Sequence, residues 1–600
     1  MLHLTPLTRI ARRRDEIGAV AIVVAMFFAF VAVPLGAVSI DIARLYVELQ
    51  RVQAAADAAA TAGVTFMPDD FANAKARAIE VAEDNGFPNS GTSAVAVAIG
   101  EKPTQLKVTV SSTVSNAFAK SFGISSSTMS RSAVADFNGP APMGSPCNTF
   151  ANEPAGSAQL GPSASVLKQP TYADCADPQF WGAIAGPETY KGQGAEFETR
   201  KCGGGEDLCA GGSGSANLEF DPRGFIYLVR VGSAGVGQSI QLQIYDPAYV
   251  ETASSCSSSS GPTGGISSSD NYRYPYSTTD ANNRYNNSAN SFCTGDSDNN
   301  GNRFGSSDVP TITSFALRNK VDNLNPYSAP ALNPSQCTKQ FPGYSYTSST
   351  AWTTSHLRDS NNTSGKPYNV DLARVFHQWV DLCTFTPTAA GDYYIQVRSN
   401  VALPSTYTLD STGAVVGNSA VVSQTGDDTS VQGNGTNNFA LRAISGAPAG
   451  AVSVAPWERM RIYANSDAAT TEFNLVRVVP AAANKTLVVS FFDVGEGASS
   501  GSVTILKPND SNMPSSIAGC KASGVVTGAL TGCKITGITP TNNNGKYQEI
   551  RIPIPNTYTC QVSSQGGCWF RVQVSFGTGT VHDATTWTAR IVGEPVRLIE

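Results

Sequence analysis

The chain has 600 residues and a formal charge of -6, long enough for three or four domains and with no electrostatic footprint for nucleic acid. Charged residues are only 15% while glycine and small polar residues abound, a profile that suits an exported, loop-rich β protein. Four histidines in the whole chain leave little room for Ser-His-Asp or metal–histidine designs.

In chain order, a basic segment at 1–16, with Arg9, Arg12, Arg13 and Arg14, precedes a stretch from Ile17 to Ile40 without a charged side chain. As a helix this stretch reaches about 36 Å, enough to cross a bilayer at 17–40. The positive-inside bias keeps the N-terminus in the cytoplasm and puts everything after the span outside, so the expected location is the plasma (inner) membrane, single-pass. Pro34 inside the span is expected to kink the helix. A cleaved signal peptide is the rival reading, with Ala37-Val38-Ser39 as the small-x-small site.

From Asp41 to Thr65 no proline intervenes and helix formers dominate, so the same helix is expected to continue over 41–65. Ile42, Leu45, Leu49, Val52, Ala56, Ala59 and Gly63 repeat at 3-4-3-4 spacing, an a/d seam narrowing from leucine to alanine and glycine. Arg44, Glu48, Arg51 and Asp57 fall off that seam. Small residues admit close approach by another helix, either of the same chain, of a second copy, or of another membrane protein.

The basic lead, the Gly18-Ala-Val-Ala opening, the exit Ile40-Asp41-Ile42-Ala43-Arg44-Leu45-Tyr46 and the run QRVQAAADAAATAG resemble the N-terminal signature of TadG-like proteins (TadE/TadG superfamily) of Flp (Tad, tight adherence) pilus assembly systems. The likeness is close over 9–65 and looser to about 137. It implies a membrane-anchored, extracytoplasmic assembly component rather than an enzyme, with pilus-assembly membrane proteins or pilus subunits as partners. Prepilin-like relatives are cut after a glycine and carry glutamate five residues on; here Ala19 follows Gly18 and the fifth residue is Val23, so a processed pilin is not expected. The Asp-x-Ser-x-Ser motif of the von Willebrand A domain that some relatives carry is not found.

Beyond the helix, Phe71 to Asn85 reads as a helix, Ala94–Ile99 and Leu106–Val114 as strands, Ala117–Phe122 as a short helix and Thr128–Phe137 as a strand. This makes a small α+β module at 66–137, followed by a linker at 138–146 rich in glycine and proline. The twelve cysteines all come later and, in an oxidising compartment, read as up to six disulfides; Cys202 with Cys209, Cys520 with Cys533 and Cys560 with Cys568 are near enough for local loops.

Tyr227–Asp246 aligns without a gap on Asn474–Asp493, matching Leu228-Val-Arg-Val231, Ala234 and Asp246 to Leu475-Val-Arg-Val478, Ala481 and Asp493. Each copy is followed by an aromatic strand, Asp392–Arg398 and Cys568–Ser575. Two mainly-β, sandwich or jelly-roll-like extracytoplasmic domains are therefore expected, at 147–445 and 446–600. The first holds an insertion at 251–330 rich in serine, asparagine and tyrosine, with Tyr272, Tyr274, Tyr276 and Tyr285 suited to a contact surface or simply to a tethered loop.

Within it Asp296, Asp298, Asn300 and Asn302 with Gly301 fit half of an EF-hand loop, a calcium candidate; the twelfth position is Ser307, not glutamate. Asp246 and Asp493 are expected to cap turns. No other cofactor is expected. Gly497-Ala-Ser499-Ser-Gly501 matches GxSxG only formally, because a strand rather than a helix follows, and His377 in VFHQWVDL reads as a core residue. The alternative to pilus assembly is a cell-surface adhesin or glycan-binding protein, with the insertion as its contact surface and calcium ordering it; homo-oligomerisation through the heptad helix is the expected self-association.

Overall fold

The structure, a computed structural model, describes residues 8–64, 71–100, 105–140, 143, 180–250, 296, 309–321, 326–344, 370–375, 379–424, 426–448, 451–466, 470–495, 500–561, 567–576 and 581–598. The chain divides into two compact units, residues 1–139 with 592–600, and residues 140–591.

In the first unit a continuous helix comprises α1 (Thr8–Phe27), a π-helical turn at Phe28–Ala32 and α2 (Val33–Gly63). The π turn lies just ahead of Pro34, whose missing N–H removes one rung of the α ladder; the wider turn takes up that break without ending the helix. Residues 18–63 are long and apolar enough to cross a membrane. Then come α3 (Phe71–Asp84), β1 (Ser93–Ile99), β2 (Gln105–Ser115), a 3-10 turn at Ala119–Phe122 and β3 (Ser126–Pro140). β2 pairs antiparallel with β1 on one side and β3 on the other. The order is the expected helix-strand-strand-helix-strand. β3 runs to Pro140, however, so the stretch from 138 that reads as linker is strand at its start, and Met143 within that stretch is fully buried. Pro140 has no N–H to give and sits at the strand end, where none is needed.

The core of this unit is mostly alanine: Ala55, Ala56, Ala59 and Ala60 from α2, Ala74, Ala78 and Ala82 from α3, packed on Leu106, Val108 and Val110 of β2, which alternate with outward residues. Such short side chains let helices and sheet approach closely. Gly63 marks the limit, since a Cβ there would lie 2.6 Å from both the Ala74 carbonyl and Leu106 Cδ2.

The second unit is mostly antiparallel sheet, with short helices at Pro334–Cys337, Val370–Val375, Ser419–Val422 and Pro540–Asn543. Its strands are β4 (Phe180–Ala185), β5 (Phe225–Val231), β6 (Ile240–Tyr245), β7 (Thr313–Arg318), β8 (Thr338–Phe341), β9 (Trp379–Phe385), β10 (Gly391–Arg398), β11 (Thr436–Ser445) and β12 (Val452–Pro456). There follow β13 (Arg459–Ser466), β14 (Thr470–Arg477), β15 (Thr486–Phe492), β16 (Gly501–Leu506), β17 (Lys521–Gly524), β18 (Gly528–Ala529), β19 (Lys534–Ile538), β20 (Tyr547–Pro553), β21 (Trp569–Ser575) and β22 (Val581–Leu598), the last ending in the first unit. One half has strand orders β4-β11-β6-β9 and β5-β10-β7-β8; the other has β13-β22-β15-β20 and β14-β21-β16-β19. The two orders are the same once β4 to β11 are matched to β13 to β16 and β19 to β22. Pairing of β4 with β13 joins the first sheet of each half edge to edge.

The duplicated segments are congruent: strand, 3-10 turn (Ser233–Gly235 and Pro480–Ala482), strand, then an aspartate with φ of 53° at Asp246 and 68° at Asp493. Aromatic rings bridge the sheets, with centroids 6.0 Å apart for Tyr227 and Phe439 and 5.9 Å for Phe473 and Trp587. Two expectations are corrected. β7 lies inside the stretch read as insertion 251–330, yet all its side chains are buried and Phe315 and Leu317 are core; a short alternating strand was masked by its polar surroundings. β12 pairs with β5, so the changeover between halves comes after Pro456 rather than at Gly446.

The three local disulfides are present, and Cys337–Cys383 adds a fourth joining the β8 end to β9, strands of opposite sheets. Cys147, Cys175, Cys256 and Cys293 lie outside the described residues.

Gly63→Val should destabilise the first unit by about 1–3 kcal/mol through overpacking. The check is the midpoint of that unit's transition in denaturant; an unshifted midpoint would contradict the close helix–sheet contact.

Candidate functional site where the helix leaves the apolar span

Asp41 is the first charged residue after the apolar run, and it is 4% exposed. Its carboxylate accepts the N–H groups of Ala117 (3.0 Å), Phe118 (2.9 Å) and Ala119 (2.7 Å), the donors that open the 3-10 turn between β2 and β3. Such donors have no partner within their own turn. Here an acid from another element supplies the cap. Arg44, one turn on, stands 4.0 Å from the same carboxylate.

Two turns along, Glu48 accepts from Ser112 of β2 at 2.9 Å and from Arg51 at 3.1 Å, and Arg51 lies over the Phe87 ring at 5.7 Å. Gln53 donates to Asp57 at 2.8 Å and reaches the Ser132 carbonyl of β3 at 3.5 Å. The stripe of α2 that faces the module therefore reads Asp41, Leu45, Glu48, Val52, Ala55, Ala56 and Ala59. This corrects the exclusion of Glu48 from the seam. Hydrogen-bond donors on β2 and its following turn select the acid positions, and those donors are invisible in the helix sequence.

The seam residues separate accordingly. Val52, Ala56 and Ala59 are buried in the unit's own core, Leu45 and Leu49 are half-buried, and Ile42 is 60% exposed. Tyr46 and Val47 are exposed beside them. The seam is thus open towards Ile42, and its alanine half is taken up by the unit's own core. Ala37, Val38 and Ser39, the rival cleavage site, are helical, with Ser39 Oγ donating to the Leu35 carbonyl at 2.8 Å.

Of the calcium candidates, Asp298, Asn300 and Asn302 lie outside the described residues, as do the four tyrosines of the insertion and Ser499. Asp296 is 2% exposed. Its carboxylate accepts the N–H groups of Val250 (2.8 Å) and Asn438 (2.9 Å), so it fastens three chain segments together. Burial, and after it the charge of Asp246, push its carboxyl well above the usual carboxylate range. Asp493, the counterpart of Asp246, accepts the N–H of Gly545, 52 residues along the chain, at 2.5 Å. Cys202, Glu206 and Cys209 come together, but the two cysteines are disulfide-bonded and offer no thiolate to a metal.

The second unit also carries an open depression of about 460 Å³ lined by Tyr344, Asp371, Tyr407 and Thr408. Sequence reasoning missed both this feature and the clamp on Asp41. An acid directly after an apolar span was the available signal for the clamp; nothing local marks the depression.

Asp41→Ala should speed amide exchange at Ala117, Phe118 and Ala119 while the exchange of β1 and β2 stays slow. Uniform loss of protection would instead mean the whole unit depends on that carboxylate. Because burial raises the Asp296 carboxyl above its unfolded value of ~4, this group's contribution to stability falls as pH rises from about 4 towards the raised folded value. Asp296→Asn should flatten the pH dependence of thermal unfolding of the second unit over that window.

Comparison with known proteins agrees with the site's location. Residues 18–74 match the family described as putative Flp pilus-assembly TadE/G-like. No curated protein and no solved structure matches the chain. Residues 18–74, the apolar span, the helix that leaves it and the start of the next helix, are a TadE/G-like Flp pilus-assembly domain.

Proposed function

We propose that the protein is a membrane-anchored, extracytoplasmic structural component of a Flp-type pilus assembly system and not a catalyst. The observation that carries this is a helix, lying within the matched family segment, whose apolar part is exposed along its length and whose next turns are packed into the core of a folded module. A helix held at Asp41, Glu48 and Val52 transmits position and force from membrane to exterior without a hinge. The flank of exposed Ile42 and Tyr46 with half-buried Leu49 is the surface offered to a partner helix, from the pilus machine or from a second copy. N-terminus inside and bulk outside follow from the arginines ahead of the span.

We read the two matching strand orders of the second unit as two jelly rolls joined through one sheet, and the jelly roll is an architecture that lectin domains use. With the tyrosine-lined depression, this favours adhesin or glycan binding as the second reading, an argument by fold analogy.

Filaments counted by electron microscopy in a strain lacking the protein should vanish, return with the native chain, and stay absent with Leu49→Asp made at normal level. Unchanged filaments without the protein would overturn the assembly reading and leave adhesion as the function to pursue.

A further inference from the structure

The turn between β2 and β3 carries two large apolar side chains in the open: Phe118 is 42% and Ile124 is 56% exposed. Scattered exposed hydrophobes are ordinary. These two share one short turn, and that turn is fixed to a particular level of the helix. The Phe118 N–H is bonded to Asp41, the first residue past the apolar run, so Phe118 stands where the helix meets the headgroups.

The turn is also built to hold them out. Gly123 takes φ of 86°, the Ile124 N–H returns to the Ala119 carbonyl at 3.1 Å, and the Asn116 side chain grips the Ile124 carbonyl at 3.1 Å and Ser127 Oγ at 3.1 Å. These bonds fix the backbone from which the two side chains project. Lys120, exposed on the same turn, supplies a cation at the same level, and Tyr46 on the helix has the amphipathic ring favoured at a membrane interface.

We propose that this turn is a membrane foot: Phe118 and Ile124 insert into the leaflet from which the helix emerges, with Lys120 among its headgroups. The foot would act with the span as a second attachment point, restraining tilt and rotation of the module. An apolar tip with a basic neighbour fits the boundary between headgroups and acyl chains. The proposal rests on the reading of residues 17–40 as a membrane span.

The test uses the full chain reconstituted in vesicles of phosphatidylcholine and phosphatidylglycerol. Photoreactive benzoylphenylalanine replaces, one position at a time, Phe118, Ile124, the span residue Val24 or the exposed Val525 of the second unit. Lipid adducts are quantified by mass spectrometry after illumination. Expected are adducts at Val24, and adducts at Phe118 and Ile124 on the order of tenfold above Val525, the bias that burying one large apolar side chain supplies. Adducts at Val24 with only the Val525 level at Phe118 and Ile124 would overturn the foot and leave the span intact. Absence of adducts at Val24 would overturn the span and the foot with it. Cross-links from Phe118 or Ile124 to a second copy instead of lipid would also overturn the proposal.

Discussion

Helix α2 must satisfy two environments within a few residues. Up to Ile40 it presents apolar side chains outward, with Ile40 itself 52% exposed; from Asp41 on, its module-facing stripe is buried against a sheet. The carboxylate of Asp41 is where the change is made. Three N–H groups converge on it, and hydrogen bonds to a charged acceptor are among the stronger ones. Once that contact is set, the helical repeat delivers Glu48 to Ser112 and Val52, Ala56 and Ala59 to the core, so the rotation of the helix on the module is determined. The alanine-rich contact below is close but weak per residue, since each alanine buries little apolar area. Polar bonds near the span and close packing farther on therefore share the work.

The second unit solves another problem, that of two sheets with open edges. Eight-stranded sets with the same strand order are joined by β4 and β13, which covers one edge of each large sheet with the other. Duplication explains why Asp246 and Asp493 both adopt a left-handed backbone at the same point: each ends a strand in the large sheet, where the chain must reverse. Their partners differ. Asp493 holds a backbone N–H, while Asp246 faces Asp296, a carboxyl brought from the polar insertion of that half alone. One copy has thus acquired a buried acid pair where the other keeps a simple cap.

Both units use buried carboxylates for positioning. The described carboxylates of Asp41, Asp296 and Asp493 accept backbone N–H groups, which makes each a fastening between segments distant in sequence. That pattern accords with a component whose task is mechanical. It also relates the membrane foot to the rest: the bond that orients the helix is the same bond that sets the height of Phe118.

Much was legible from the sequence because it depends on local periodicity. The charge-free run, its continuation into a helix, α3, β1 and β2 all follow from spacing and from turn residues such as Gly86. The duplication was visible in gapless register, and the short-range disulfides in spacing. What the tertiary structure alone decided was which side of α2 is inside, because that depends on N–H and hydroxyl donors of β2 and its following turn, far along the chain from Asp41 and Glu48. It decided likewise that Thr313–Arg318 is a core strand, since six residues in a polar stretch acquire meaning only beside β8 and β10. It also decided that Asp296 is buried, because the pairing of Asp246 and Asn438 around it joins segments separated by more chain than any local pattern can span.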